Sequence, residues 1–183
     1  MNVGTKSLLF GVHQFLWHPW TVARAWRFLH GRWPNFPEWI CIFCHDLGYW
    51  GSPDMDGDIG QRHPELGAKL AGRIMYHYAR WRGHDEDNAE FFRELYIKFT
   101  LFHSRFYAKR AGRPVSELFM ADKLSIAFEP RWWYLLRATM SGEIREYLVN
   151  APKHLALPNP LSKNQWHNWY ERKVFSWLSN PPK

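Results

Sequence analysis

Apolar positions along the chain recur at intervals of three and four residues, and the residues between the runs are those that start and stop helices. His18-Pro19 opens "HPWTVARAWRFLHG": Pro19 suits a first helical position, Gly31 suits a C-terminal stop, and Val22, Trp26 and Leu29 share one apolar face. Pro37-Glu38 opens a second segment in which Trp39, Ile40, Phe43 and Leu47 are spaced for a buried stripe. His63-Pro64-Glu65 opens a third, "HPELGAKLAGRIMYHYARW", and a fourth runs from about Glu86 to His103. Pro114 starts a fifth that reaches Glu129, where Pro130 ends it. "RWWYLLRATMSGEIREYL" reads as a single sixth helix, and "LSKNQWHNWYERKVFSWL" repeats Trp166, Trp169, Tyr170, Phe175 and Trp177 at helical spacing.

Strand signals do not compete: there is no long period-2 alternation, no hairpin built on Asn-Gly or Asp-Gly, and no βαβ rhythm. The expectation is an all-α chain, a single compact helical bundle over residues 1–150. The Pro-rich "APKHLALPNP", residues 151–160, reads as a linker to an aromatic-rich C-terminal docking helix that completes a unit 151–183.

Composition adds three points. The 183 residues are enough for one domain with a real core, and the 18% aromatic content, with 12 Trp, suggests large side chains filling helix interfaces. The N-terminal "MNVGTKSLLFGVHQF" lacks the form of a secretory signal, and no run approaches the ~18 apolar residues of a membrane span. Two cysteines cannot build a disulfide framework, so a cytoplasmic location is the expectation. The formal charge of +7 favours anionic partners such as nucleotides, nucleic acid or a phospholipid surface. Much of that charge sits in Arg105, Lys109, Arg110 and Arg113.

Candidate chemistry gathers first in "CIFCHDLGYWG", residues 41–51. Cys41-x-x-Cys44-His45 fits a haem-attachment pattern, Cys41-x-x-Cys44 a zinc or redox pair, and His45-Asp46 a metal-binding dyad. The haem pattern needs an export signal, and the cysteine pair needs partner cysteines or a thioredoxin-like context; neither is present. Cys41 and Cys44 are therefore expected to pack as small apolar side chains. The dyad has company: His18, His63 and His103 lie at helix ends and Asp122 within a helix. Converging in a bundle, four His and two Asp would offer mixed N/O ligation suited to Fe, Mn, Co or Zn. His13, close to His18, is a candidate for the pocket mouth, and the acidic "SPDMDGD", residues 52–58, lacks EF-hand order and reads as a solvated loop.

The order H…HD…H…H…D resembles the HD superfamily of metal-dependent phosphohydrolases over roughly residues 15–130. The resemblance is carried by "HPWTVARA", "CHDLG", "HPELGAKL", "LFHSRF" and "MADKLSIAFEP". The short interval between His103 and Asp122 is similar to the two-metal branch that includes the symmetrical diadenosine-tetraphosphate hydrolases. It implies that Asp46 bridges two divalent metals, that His18, His45 and Asp122 complete one site, and that His63 and His103 complete the other. It also implies a metal-bridged hydroxide that attacks phosphorus.

Arg105 and Lys109 then become candidate phosphate clamps, with Lys123 beside Asp122 as a further candidate. The expected activity is hydrolysis of a phosphate ester or anhydride in a nucleotide or similar small phosphorylated molecule. No stable nucleic-acid complex is expected, and a homo-oligomer built on the aromatic tail is open. One departure matters. Many two-metal HD hydrolases carry Lys three residues after the HD aspartate, and this chain has Tyr49. That raises a second branch of the resemblance, a di-iron oxygenase cleaving a C–C or C–P bond.

Overall fold

The computed structural model describes residues 1–151 and 161–180, and all regular structure in them is helical. Ten α-helices follow one another: α1 (Val3–Phe10), α2 (Trp17–His30), α3 (Phe36–Cys44), α4 (Pro64–Trp81), α5 (Glu86–Leu101), α6 (Arg105–Arg110), α7 (Glu117–Leu124), α8 (Arg131–Ser141), α9 (Glu143–Asn150) and α10 (Lys163–Ser179). Tighter 3-10 turns lie at Leu47–Tyr49, Gly60–Arg62 and Ser125–Phe128. Nearly all of the expected Pro-rich linker falls at 152–160, outside the described residues.

Local chemistry fixes the helix ends. Asn35 accepts the Glu38 N–H at 3.0 Å while Glu38 accepts the Asn35 N–H at 2.7 Å, and Arg32 grips the same carboxylate with two bonds of 2.6 Å. Ser162 and Gln165 repeat that reciprocal arrangement at the start of α10. Gly31 closes α2 with φ +68°, a left-handed stop natural to glycine.

Helix α6 was not among the expected elements, and four other elements depart from the expected pattern for an identifiable reason. Helix α1 was not anticipated, because "VGTKSLLF" is too short to be helical on its own; it is held by long-range contacts, with Leu8 packed into a cluster with Tyr49 and Met55. In α3 the buried apolar residues are Cys41, Ile42 and Cys44, whereas Phe43 is exposed and stacks on Trp39 at 5.6 Å. Helical register ends at Cys44, and Leu47 belongs to a 3-10 turn, so the stripe read through Leu47 assumed a longer helix than exists. The fifth helix begins only at Glu117, since Ser116 is extended, and it gives way to 3-10 geometry at Ser125. The sixth is two helices, broken at Gly142 with φ +94°.

The main core joins Val22, Trp26, Ile42, Leu118 and Leu124, with Val174 of α10 inserted among them. A second cluster seats Trp166 of α10 against Tyr134 and Ile144. Trp166 is stacked between Tyr147 (5.0 Å, 8°) and Tyr170 (5.3 Å, 7°). Arg137, buried on α8, donates to the carbonyls of Gly11 (2.6 Å) and Val12 (3.2 Å) and pairs with Glu129, which ties α8 to the loop ahead of α2.

Two glycines bring the backbone segments of the His-Asp motif together. A Cβ on Gly67 of α4 would overlap the carbonyl oxygen of Cys44, and one on Gly48 would overlap that of His63. Both obstacles are main chain, so neither can rotate away. Gly67→Ala is expected to lower stability by about 2 kcal/mol through forced separation of α3 and α4, read as an earlier midpoint in urea unfolding with an unchanged slope.

Candidate metal centre

Six of the residues singled out in the sequence converge in space, delivered by five different places in the fold. His18 sits in the first turn of α2, His45 and Asp46 directly follow α3, His63 directly precedes α4, His103 follows α5, and Asp122 lies in α7. All but His63, which is nearly buried, are buried. They form two groups whose ligand atoms could each hold a metal ion: His18, His45, Asp46 and Asp122, and Asp46, His63 and His103.

Asp46 belongs to both groups, and its two oxygens divide between them. Oδ2 lies 3.1 Å from His18 Nε2 and 3.1 Å from His45 Nε2, whereas Oδ1 faces His63 Nε2 at 3.5 Å and His103 Nε2 at 3.8 Å. Asp122 Oδ1 completes the first group, 3.2 Å from His18 and 3.6 Å from His45.

The ring nitrogens are pre-set for ligation. Nδ1 of His45 donates to the Ile42 carbonyl at 2.7 Å, Nδ1 of His63 to Gly60 at 2.7 Å, and Nδ1 of His103 to Thr100 at 2.6 Å. A carbonyl only accepts, so each Nδ1 carries a proton and each Nε2 is turned to the cavity. His63 Nε2 and His103 Nε2 are then 3.2 Å apart, and His18 Nε2 and His45 Nε2 3.3 Å apart. In the His63–His103 pair, where burial keeps both rings neutral, two lone pairs at that distance repel unless a cation lies between them. Asp46 Oδ2 is also buried without a hydrogen bond. Orphaned oxygen, facing nitrogens and mixed N/O donors together fit a divalent transition metal.

Electrostatics separates the two groups. Burial pulls His18 down, but its contacts with Asp122 and Asp46 outweigh that and leave it raised; His45 is raised to about 10 against burial, mainly by the Asp46 charge. His63 is driven well below its ordinary value by burial, and His103 falls to about 4 through burial and the nearby His45. Without metal, the first group therefore holds protons and the second holds bare imidazoles. Burial pushes Asp46 and Asp122 up, but for Asp46 the charges of His45 and His13, and for Asp122 that of Lys123, overcome it, so both stay ionised.

The surroundings contain residues the sequence flagged weakly or not at all. His13 does sit by His18, with ring centroids 5.2 Å apart and its Nε2 4.0 Å from Asp46 Oδ2. Its Nδ1 is held by Ser7 Oγ at 2.8 Å and Glu143 Oε2 at 3.2 Å. Glu143 was missed; it is fully buried and also accepts from the Val12 N–H (3.0 Å), Ser141 (2.6 Å) and Tyr147 (3.0 Å). Its only sequence signal was a carboxylate at an inward position directly after a helix-breaking glycine. Tyr49 stacks flat on His63 (4.0 Å, 13°). Lys123 turns toward the centre, with Nζ 2.8 Å from Asp122 Oδ2.

Other candidates belong to neither group. Arg105 and Lys109 are exposed on α6 and form no ion pair among the described residues. Cys41 and Cys44 are free and buried, and burial pushes their thiols up to about 12 and about 11, which leaves them unreactive. The acidic loop is tied down: Asp54 accepts the Gly60 N–H at 2.8 Å, and Glu146 of α9 accepts the Met55 N–H at 2.8 Å.

Metal must displace the protons on His18 and His45, so affinity should rise with pH throughout the range below about 10, by up to tenfold per pH unit for each proton released. Calorimetric titration of metal-free protein at several pH values checks the sign; a flat profile contradicts it. Saturating divalent metal should also stabilise the fold, by about 2.7 kcal/mol at a hundredfold excess over Kd. Asp46→Ala, which damages both groups at once, should abolish that gain.

Compared with protein-family models, with curated proteins and with solved structures, the chain matches none.

Proposed function

We propose that this chain is a metal-dependent phosphohydrolase of the HD type, acting on a nucleotide or a similar small phosphorylated molecule. The observation that carries the reading is the division of the Asp46 carboxylate, one oxygen toward His18 and His45 and the other toward His63 and His103. That is the disposition of a bridging ligand, and it favours two divalent ions, drawn from Fe, Mn, Co and Zn. Bound there, such a pair would supply Lewis acidity toward phosphoryl oxygens and a water acidic enough to ionise near neutral pH.

The remaining roles belong to the chain's own side chains. Lys123 holds the outer oxygen of Asp122, which keeps Oδ1 turned inward. Ser7 and Glu143 fix Nδ1 of His13, leaving Nε2 at the edge of the centre to take or deliver a proton. Arg105 and Lys109, two cations with no carboxylate to satisfy among the described residues, are the proposed phosphate clamps, Arg105 in bidentate fashion.

A second reading, a di-iron oxygenase cleaving a C–C or C–P bond, is favoured by one observation. Tyr49 fills the position where many two-metal HD hydrolases carry lysine, and its ring is committed to His63.

The test is phosphate release from a panel of nucleoside mono-, di- and triphosphates and dinucleotides, with the protein loaded separately with each metal. The proposal expects turnover with at least one pairing, a loss of about a thousandfold or more in Asp46→Ala, and a drop of about tenfold in kcat/KM in Arg105→Ala. Dioxygen consumption by the iron-loaded protein without phosphate release would instead select the oxygenase.

A further inference from the structure

The first 37 residues contain no aspartate or glutamate, yet they carry Lys6, Arg24, Arg27 and Arg32. Arg32 is neutralised by Glu38; Arg24 and Arg27 have no carboxylate partner among the described residues. Both arginines stand on the outer face of α2, in a stripe that runs Trp17, Trp20, Arg24, Arg27 and Phe28 at helical spacing, all exposed. Trp20 stacks on Trp33 (5.4 Å, 21°), and Arg27 lies over the other ring of that pair at 4.9 Å from its centroid.

Trp17 and Trp20 continue on their other side into a groove of about 570 Å³. Leu9, Leu16, Trp133 and Met140 form much of its wall. Leu16 is 60% exposed, Met140 56% and Trp20 45%. A surface this apolar is costly in water and marks a contact site. Glu129, a carboxylate at the groove's edge, is already engaged by buried Arg137 and by the Trp17 indole N–H at 2.9 Å.

We infer that this face docks the protein onto an anionic lipid bilayer. Indoles and arginines suit the headgroup region, where an apolar body and a polar or charged tip are accommodated together, and leucine and methionine suit the acyl boundary beneath. Cations without carboxylates match the negative surface of phosphatidylserine-type lipids. Contact is peripheral, since among the described residues no helix is long and apolar enough to cross a membrane. A symmetric second copy fits less well, because it would set the same unpaired arginines against each other. Single-stranded nucleic acid fits less well too: Trp20 and Trp33 stack on each other and Arg27 covers Trp33, so these faces are not free to take bases. The inference does not depend on the metal centre.

The test mixes the full chain with vesicles of phosphatidylcholine alone or with about 30% phosphatidylserine, and reads co-sedimentation and tryptophan emission. Binding to the anionic vesicles is expected, with a blue-shifted emission and a partition that weakens as salt shortens the Debye length. Arg27→Glu should lower the partition about 25-fold, two charge units at about fivefold each. Trp20→Ser with Leu16→Ser should lower it about tenfold, whereas Arg110→Glu, in the other basic segment, should change it less than Arg27→Glu. All these positions are exposed, and far-UV circular dichroism confirms that each variant is folded. Failure to bind either vesicle overturns the inference, as does an equal loss in Arg110→Glu. It is also overturned if single-stranded oligonucleotide binds through Trp20 while vesicles do not, or if sedimentation velocity shows a dimer that the Trp20 and Leu16 changes dissolve without any vesicle binding.

Discussion

Two imidazole nitrogens whose protons have been drawn to the far side of each ring cannot face one another across 3.2 Å without positive charge between them. That constraint governs the protein's interior. The carbonyls of Ile42, Gly60 and Thr100 make the rings donate outward, the Asp46 carboxylate supplies the compensating negative charge, and Lys123 and His13 balance the carboxylates in turn. Each carbonyl lies three residues before its histidine, at the end or the start of a helix. The ends of α3 and α5 and the start of α4 are therefore as much a part of the centre as the ligands.

The fold class was legible because helical periodicity and Pro or Gly punctuation agreed over most of the chain. Register near the ends was less so. The stripe through Trp39, Ile40, Phe43 and Leu47 placed Phe43 inside where the helix buries Ile42, and it continued 3.6-residue geometry past Cys44, where the helix ends. Helix α1 was illegible for a different reason: its stability comes from Tyr49 and Met55, which are remote in sequence. Gly142 sat in plain view within a periodic run, and only the buried Glu143 beside it gives the break a purpose.

The six ligand candidates were legible because each lies at or near a helix boundary, and boundaries are what turn residues and periodicity report. Their supports were not. Glu143 reaches His13 across 130 residues of sequence, and no local pattern announces that meeting. Lys123 was legible as the neighbour of Asp122, but not its contact: a lysine is long enough to return to the carboxylate beside it.

The contacts at Gly48 and Gly67 have a wider consequence. The spacing between the His45-Asp46 segment and the start of α4 is set by main chain against main chain, with no side chain interposed. Side chains around the cavity can therefore be exchanged without moving its donors. Such a scaffold separates the geometry of its donor atoms from the shape of its walls, so the walls can change over a lineage while the centre stays the same.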